Sequence, residues 1–195
     1  MSSIPAKFAR LIIALALTFL ATPMKADTTT NKTLFDFQAA TNSPAWEVVN
    51  DDVMGGVSTS QFQVQTNGCA VFSGTVRLEN NGGFASVRSA PVRENLTGLM
   101  AFVLRVRGDG RSYKCTVRTG AGFDTPLYQC SFTTKRAQWE EHRLAFSDFV
   151  PTFRGRVLTD VPPLNPAKVN SVGLLISDKQ AGPFRLEIDW IKASR

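Results

Sequence analysis

The sequence predicts an all-β protein that folds as a two-sheet antiparallel β-sandwich of the jelly-roll type. Three observations support this fold class. Apolar and polar residues alternate in many short segments, Gly, Pro and Asn separate those segments, and no long window has the apolar period of an amphipathic helix. Strands with one solvated face and one buried face are typical of antiparallel sheets, and about nine of them are enough for a sandwich.

The N-terminal segment, residues 1–26, has the layout of a secretory signal peptide. It contains no acidic residue, carries Lys7 and Arg10, and continues into an apolar run at residues 11–21 that is too short to span a bilayer. This layout predicts an exported protein, periplasmic or secreted. A mitochondrial presequence is the less favoured alternative, because such segments are amphipathic and arginine-rich whereas this run is apolar on every side. Met24 weakens the cleavage signal, so the alternative is a membrane anchor formed by the uncleaved segment.

The rest of the chain predicts a flexible leader at residues 27–33 and a single β-sandwich domain at residues 34–193. The apolar and charged residues alternate most clearly in the last predicted strand, residues 183–191. The other predicted strands cover residues 62–66, 70–78, 85–89, 99–106, 112–118, 128–132, 139–146 and 172–177. Short helical turns are expected only near residues 147–149 and 166–170.

The net charge does not favour a nucleic-acid partner. Without residues 1–26 the chain keeps 19 basic and 16 acidic residues, a balance of about +3. The basic residues are scattered along alternating strands and form no block, as expected for solvated strand faces. We therefore expect no nucleic-acid binding.

The three cysteines, Cys69, Cys115 and Cys130, allow at most one internal disulfide. A hairpin loop at residues 119–126, with its tip near Gly122, places Cys115 opposite Cys130 on the same face of the sheet. Two alternatives remain open for this pair: a disulfide, or two buried reduced thiols. Because the chain has no CxxC pair and only one histidine, His142, we expect neither a metal site nor a cofactor.

Two segments that each contain a double glycine supply most of the candidate site residues. They are Asp51, Asp52, Gly55 and Gly56 in the first, and Asn80, Asn81, Gly82, Gly83 and Arg88 in the second. The glycines permit sharp turns or the close approach of another backbone. The asparagines are typical turn residues, and the alternative is that they bind sugar hydroxyls or a peptide backbone.

The two aspartates are expected to form a structural clamp. One carboxylate caps the glycine turn, and the other pairs with Arg88 or Arg154, because a planar guanidinium group can hold a carboxylate with two hydrogen bonds. A calcium site at these aspartates is less favoured, since calcium prefers six or more oxygen ligands and the sequence has no acidic series.

Four blocks of sequence together resemble the complex I intermediate-associated protein 30 family. They are NDDVMGGVS at residues 50–58, FSGTVRLENNGGFASVRS at 72–89, FVPTFRGR at 149–156 and SDKQAGPFRLEIDWI at 177–191. The resemblance covers about residues 34–193. It implies a jelly-roll domain of the galactose-binding type and, as in the family's mitochondrial members, a non-enzymatic role in assembling the membrane arm of respiratory complex I (NADH dehydrogenase).

The residues favour a binding protein over an enzyme. His142 lies beside Glu140 and Glu141, no nucleophile motif accompanies it, and no glycine-rich phosphate loop occurs. The leading hypothesis is a non-catalytic, chaperone-like adaptor, which binds an unfolded or unassembled protein partner of a respiratory membrane complex. The alternative is an exported carbohydrate-binding module with a glycan ligand, for which Trp46 and Trp139 would offer stacking surfaces.

Overall fold

Two antiparallel β-sheets packed face to face form the fold in the computed structural model, which describes residues 31–38, 45–122 and 125–195. This architecture confirms the predicted fold class. The strands in chain order are β1 (Lys32–Asp36), β2 (Trp46–Asn50), β3 (Thr59–Val64), β4 (Ala70–Val76), β5 (Ala85–Ser89), β6 (Ala101–Arg107), β7 (Ser112–Arg118), β8 (Leu127–Thr133), β9 (Trp139–Ala145), β10 (Val150–Phe153), β11 (Arg156–Val157), β12 (Ser171–Ile176) and β13 (Gly182–Ser194).

The six-stranded sheet is organised around β13. Its strand order is β3-β4-β13-β6-β9, and β1 also pairs with β13. The first part of β13 pairs with β4, from Gly182 opposite Val76 to Ile188 opposite Ala70. A bulge between Ile188 and Trp190 shifts its register with β6.

The seven-stranded sheet has the order β11-β10-β8-β7-β12-β5-β2. Its central strand β12 pairs with β7 and β5, and all six β12 residues are buried. The inner faces of the two sheets enclose an apolar core because inward-facing residues alternate with outward-facing ones along most strands. The largest fully buried side chains of this core include Phe37, Phe72, Phe102, Leu104, Tyr113, Leu174, Ile176, Leu186 and Ile188.

The predicted strands agree with the observed ones where the alternation is regular. β5 and β7 have the predicted bounds, residues 85–89 and 112–118, and the last strand extends the prediction by one residue at its start and three at its end. The prediction omitted β1, β2, β10 and β11. These strands are short, β10 contains Pro151, and β1 begins at Lys32, inside the predicted leader.

The predicted signal peptide lies outside the described residues, as does the first part of the predicted leader, residues 27–30. No helix within the described part of the chain combines the length and apolar character that crossing a membrane requires. The two expected helical turns correspond to single turns of 3-10 helix at Phe146–Asp148 and Pro166–Lys168. The expectation that these are the only helical turns was wrong, because 3-10 turns also occur at Asp51–Met54 and Glu79–Asn81.

Candidate binding groove

Asp51 joins the two double-glycine segments. Its side chain is 0% exposed. It accepts hydrogen bonds from the Ser58 backbone nitrogen at 2.9 Å and hydroxyl at 2.6 Å, and from the backbone nitrogens of Gly83 at 2.6 Å and Phe84 at 3.3 Å. Burial alone would raise the pKa of this carboxyl, but the hydrogen bonds from Ser58, Gly83 and Phe84 outweigh burial and lower the pKa.

Two of the four glycines leave space for this carboxylate. A Cβ atom at Gly56 would overlap the carboxyl carbon of Asp51, and one at Gly82 would lie 2.5 Å from its Oδ2. Gly55 and Gly83 instead adopt positive φ angles of 87° and 129°. The double glycines therefore serve two needs, a left-handed backbone and room for the side chain of Asp51.

The two asparagines also lie in the left-handed region, Asn80 at φ 57° and Asn81 at φ 58°. The Nδ2 of Asn80 donates to the carbonyl oxygen of Gly55 at 3.1 Å, which adds a second bridge between the two segments. Turn formation accounts for both asparagine conformations, since Asn tolerates this region better than most residues.

Neither Arg88 nor Arg154 is among the donors to the buried carboxylate of Asp51. The donors that hold Asp51 are Ser58 and the backbone of Gly83 and Phe84, and none of them is an arginine. Arg88 donates through Nη2 to Glu47 at 2.6 Å across β5 and β2. The guanidinium group of Arg154 lies 5.4 Å from the ring centre of Phe153, and the side chain of Asp52 is exposed.

A groove of about 790 Å³ covers the outer face of the seven-stranded sheet. Four of the sequence-predicted residues, Asp51, Asn81, Arg88 and Arg154, line it. Its other lining residues come from outward positions of the central strands and include Ser86, Lys114, Thr116, Arg118, Leu127, Gln129, Thr152, Gly173 and Leu175. The sequence analysis did not identify these residues. They alternate with the inward apolar residues of their strands, and this alternation could have assigned them to the outer face of the sheet.

Arg118 is one of the cations that line the groove. Its Nη1 donates to the carbonyl oxygen of Thr125 at 3.1 Å, and the side chain is half-buried. Burial lowers the pKa of Arg118, and the neighbouring charge of Arg88 lowers it further. The two guanidinium groups therefore repel each other in the free protein.

The tryptophans proposed for sugar stacking do not line this groove. Trp46 stacks on Phe62 at a centroid distance of 4.7 Å and packs against the core. Trp139 contacts the guanidinium groups of Arg105 and Arg107 on the six-stranded sheet. Among the described residues, the aromatic side chains of the groove are Phe84 and Phe153.

Cys115 and Cys130 lie opposite each other in the register of β7 and β8, which is the pairing that the hairpin predicted. Both are free thiols in the structure, with Cys115 buried and Cys130 half-buried. Burial raises the pKa of Cys115, and the proximity of Cys130 raises it further.

His142 is half-buried and packs against Phe132, with ring centroids 4.9 Å apart. Burial lowers the pKa of its imidazole, which opposes protonation next to Glu140. The described part of the chain contains no cluster of three or more His, Cys, Asp or Glu side chains able to hold a metal ion.

Comparison with known proteins identifies relatives and structural neighbours. The sequence profile of the complex I intermediate-associated protein 30 family matches residues 35–188. Complex I intermediate-associated protein 30, mitochondrial, of Drosophila melanogaster is 29% identical over 180 residues, which cover 81% of this chain and 61% of that protein. Its namesake in Mus musculus is also 29% identical over 180 residues, which cover 82% of this chain and 55% of the relative. The chain thus spans little more than half the length of these relatives.

Among solved structures, the family 11 carbohydrate-binding module of a cellulosomal cellulase of Clostridium thermocellum superposes with a TM-score of 0.59 at 16% identity, over 84% of this chain and 94% of that chain. An agarase superposes with a TM-score of 0.57 at 12% identity, over 85% of this chain and 24% of the enzyme. At these identities the likeness shows the fold alone. It agrees with the galactose-binding-like sandwich that the resemblance implied.

The predicted exported location is contradicted by these comparisons, because the relatives are named as mitochondrial proteins. The prediction depended on the apolar run at residues 11–21, which lacks the amphipathic, arginine-rich pattern of a mitochondrial segment; the basic residues and the lack of acidic ones are common to both kinds of segment. The match to the family profile over residues 35–188 extends from β1 into β13 and includes both double-glycine segments. The chain therefore belongs to the complex I intermediate-associated protein 30 family.

Proposed function

We propose that this protein is a non-catalytic adaptor in the assembly of respiratory complex I and that it binds a protein partner in the groove. Membership of a family named for its association with complex I intermediates supports the assembly role. The adaptor would act like a chaperone, holding an unassembled subunit until it joins the complex.

The single observation that carries the binding site is the groove itself. Two segments of the family-matched region, residues 50–58 and 80–88, contribute Asp51, Asn81 and Arg88 to its lining. Sites for ligands are generally concave, with a few polar groups placed among apolar ones, and this groove has that composition. Its charged side chains are held by neighbours, as in the pair of Lys114 Nζ with Asp178 Oδ1 at 2.8 Å. Such fixed polar groups suit recognition of a partner.

The groove favours a protein partner over a glycan. Its floor carries hydroxyl and amide side chains, Ser86, Thr116, Gln129 and Thr152, which can bond to a peptide backbone. The described tryptophans pack elsewhere, so the flat aromatic surfaces proposed for sugar rings lie outside the groove.

The assembly role is tested in cells that lack the gene. We expect a reduced amount of mature complex I on native gels and accumulation of partial complexes, both reversed by the wild-type gene. Unchanged complex I in such cells would refute the proposed function.

A further inference from the structure

The groove is positively charged. Its lining contains four cationic side chains, Arg88, Lys114, Arg118 and Arg154, and two acidic ones, Asp51 and Asp178. Both acids already have partners. Asp51 is buried under four hydrogen bonds, and Asp178 accepts from Lys114. The four cationic side chains of the groove therefore outnumber its two acidic ones, and each acid has a partner within the protein.

The strand registers bring Arg88 and Arg118 to the same segment of β12. Arg88 pairs with Gly173 across β5 and β12, and Arg118 pairs with Ser171 across β7 and β12. Because residues 171 and 173 point to the same face, both arginines border one short stretch of the groove floor. At Gly173 that floor has no side chain, and a Cβ atom there would lie 2.6 Å from Thr116 Oγ1 and from the carbonyl oxygen of Val87.

The two arginines are partly fixed before any ligand arrives. Arg88 is bound to Glu47, whose side chain is 63% exposed at the edge of the sheet, and Arg118 is bound to the carbonyl oxygen of Thr125. An exposed ion pair such as Arg88–Glu47 contributes little to stability. Replacing Glu47 by a carboxylate of the ligand would therefore cost little free energy. Burial lowers the pKa of Arg118, and the like charge of Arg88 lowers it further; an anion between the two guanidinium groups would offset this second effect.

We propose that the groove binds an acidic, extended peptide segment of the partner, with one carboxylate held between Arg88 and Arg118 over Gly173. This inference rests on the proposed function and names the chemistry of the partner. Guanidinium groups bind carboxylates with short, charge-assisted hydrogen bonds, which makes arginine pairs effective carboxylate sites.

The dimensions and floor of the groove favour a peptide over a small anion. The lining extends over six neighbouring strands, from Val49 on β2 to Thr152 on β10. At about 4.8 Å between strands this distance is roughly 24 Å, the length of an extended segment of about seven residues. Along this path the apolar side chains of Leu127 and Leu175 lie next to hydrogen-bonding residues. A peptide can contact both kinds of side chain, whereas a free phosphate ion would not contact the apolar ones.

The test measures binding of fluorescein-labelled heptaglutamate to the full chain by fluorescence anisotropy. Heptaglutamine is the uncharged control peptide. We expect heptaglutamate to bind, its affinity to fall as salt is raised, and the double change Arg88→Gln with Arg118→Gln to weaken it by about tenfold or more. The matched control is Arg143→Gln, which removes an exposed positive charge on the six-stranded sheet and should leave the affinity within about twofold.

Several outcomes would overturn the inference. These are no binding of heptaglutamate, equal binding of heptaglutamine, or equal weakening by Arg143→Gln. Displacement of the peptide by inorganic phosphate at equal concentration would indicate a simple anion site, and displacement by anionic phosphatidylglycerol vesicles of equal charge would indicate a lipid site. Circular dichroism of each variant separates lost binding from lost folding.

Failure of this inference can be distinguished from failure of the proposed function. In cells that lack the gene, the Arg88→Gln and Arg118→Gln protein should restore less mature complex I than the Arg143→Gln protein. If deletion lowers complex I and the double variant restores it fully, the assembly role stands and the acidic-peptide inference falls. If deletion leaves complex I unchanged, the assembly role falls, and heptaglutamate binding still tests the groove.

Discussion

The carboxylate of Asp51 accepts two hydrogen bonds from Ser58, one from its backbone nitrogen at 2.9 Å and one from its hydroxyl at 2.6 Å. Ser58 immediately precedes β3 of the six-stranded sheet. The other donors to Asp51, Gly83 and Phe84, immediately precede β5 of the seven-stranded sheet. One side chain therefore connects the two sheets at this end of the groove, and its removal should be costly.

We expect Asp51→Ala to lower the free energy of unfolding by about 3 kcal/mol or more, because it leaves buried backbone donors without an acceptor and each charge-assisted hydrogen bond contributes roughly 1.5–3 kcal/mol. Urea denaturation followed by tryptophan fluorescence measures this loss. Asp52→Ala is the control, since that side chain is exposed, and we expect it to cost less than about 1 kcal/mol. Equal losses in the two variants would contradict the role assigned to Asp51.

The free energy of unfolding should decrease at low pH, in part because Asp51 becomes protonated. Its pKa in the folded protein lies below the ordinary value of 3.8, so the unfolded state binds its proton more readily. The resulting stabilisation is complete above pH 3.8 and is lost as pH falls through the lower folded pKa. Glu187 acts in the same direction below its ordinary value of 4.5: burial raises its pKa, but hydrogen bonds from Arg107 and Arg185 outweigh burial and lower it.

Unfolding free energies measured at a series of pH values test this linkage. Asp51→Asn should have a shallower loss of stability below pH 3.8 than the wild-type protein, because the variant lacks the titrating group. Two curves of the same slope in that range would show that Asp51 does not contribute to the acid dependence.

Gly82→Ala should be destabilising because of Asp51, by about 1–3 kcal/mol, the usual cost of overpacking. The reason is steric, since Gly82 has a negative φ of −68° and the added Cβ would lie 2.5 Å from Asp51 Oδ2. In the Asp51→Ala background the same change should cost less than about 1 kcal/mol, and a double-mutant cycle measures the difference. An equal cost in both backgrounds would locate the strain elsewhere.

Gly55→Ala provides the matched comparison for backbone strain. Gly55 has a φ of 87° and no atom within 4 Å of an added Cβ, so its substitution should cost about 1–2 kcal/mol from conformation alone. That cost should be the same with Asp51 present or absent, in contrast to the cost at Gly82.

The thiols of Cys115 and Cys130 should be protected in the folded protein. Cys115 is buried, and burial raises the pKa of both groups, which disfavours the reactive thiolate. We expect iodoacetamide to label Cys115 only after denaturation, and non-reducing peptide mapping to recover both residues as single thiols. Recovery of a linked Cys115–Cys130 peptide would instead establish the disulfide alternative.

The sequence predicted those features that depend on neighbouring residues. The alternation in residues 85–89 and 112–118 gave the bounds of β5 and β7, and the hairpin length gave the opposition of Cys115 and Cys130. Both features follow from a period of two and a local turn, which are visible in a single stretch of chain.

Features that depend on distant residues were not predictable in this way. Nothing near Asp51 in the sequence indicates that Gly83, 32 positions away, donates to its carboxylate. Arg118 and Arg88 lie near each other because β12 separates β7 from β5 in the sheet. The alternation of apolar and polar residues does not predict the order of strands in a sheet. The location predicted from residues 1–26 was wrong for another reason, because the prediction depended on the apolar character of residues 11–21, and the charge pattern is common to two destinations.

The central position of β13 in its sheet has a consequence for folding kinetics. This strand pairs with β4, with β6 and with β1, whose residue Lys32 lies opposite Ala193. Proteins dominated by such non-local pairs fold slowly, because long loops must close before the contacts form. Until β13 docks, the strands β4 and β6 have unpaired edges that can associate with other chains. We therefore expect the yield of folded protein to depend on how quickly β13 pairs with β4 and β6.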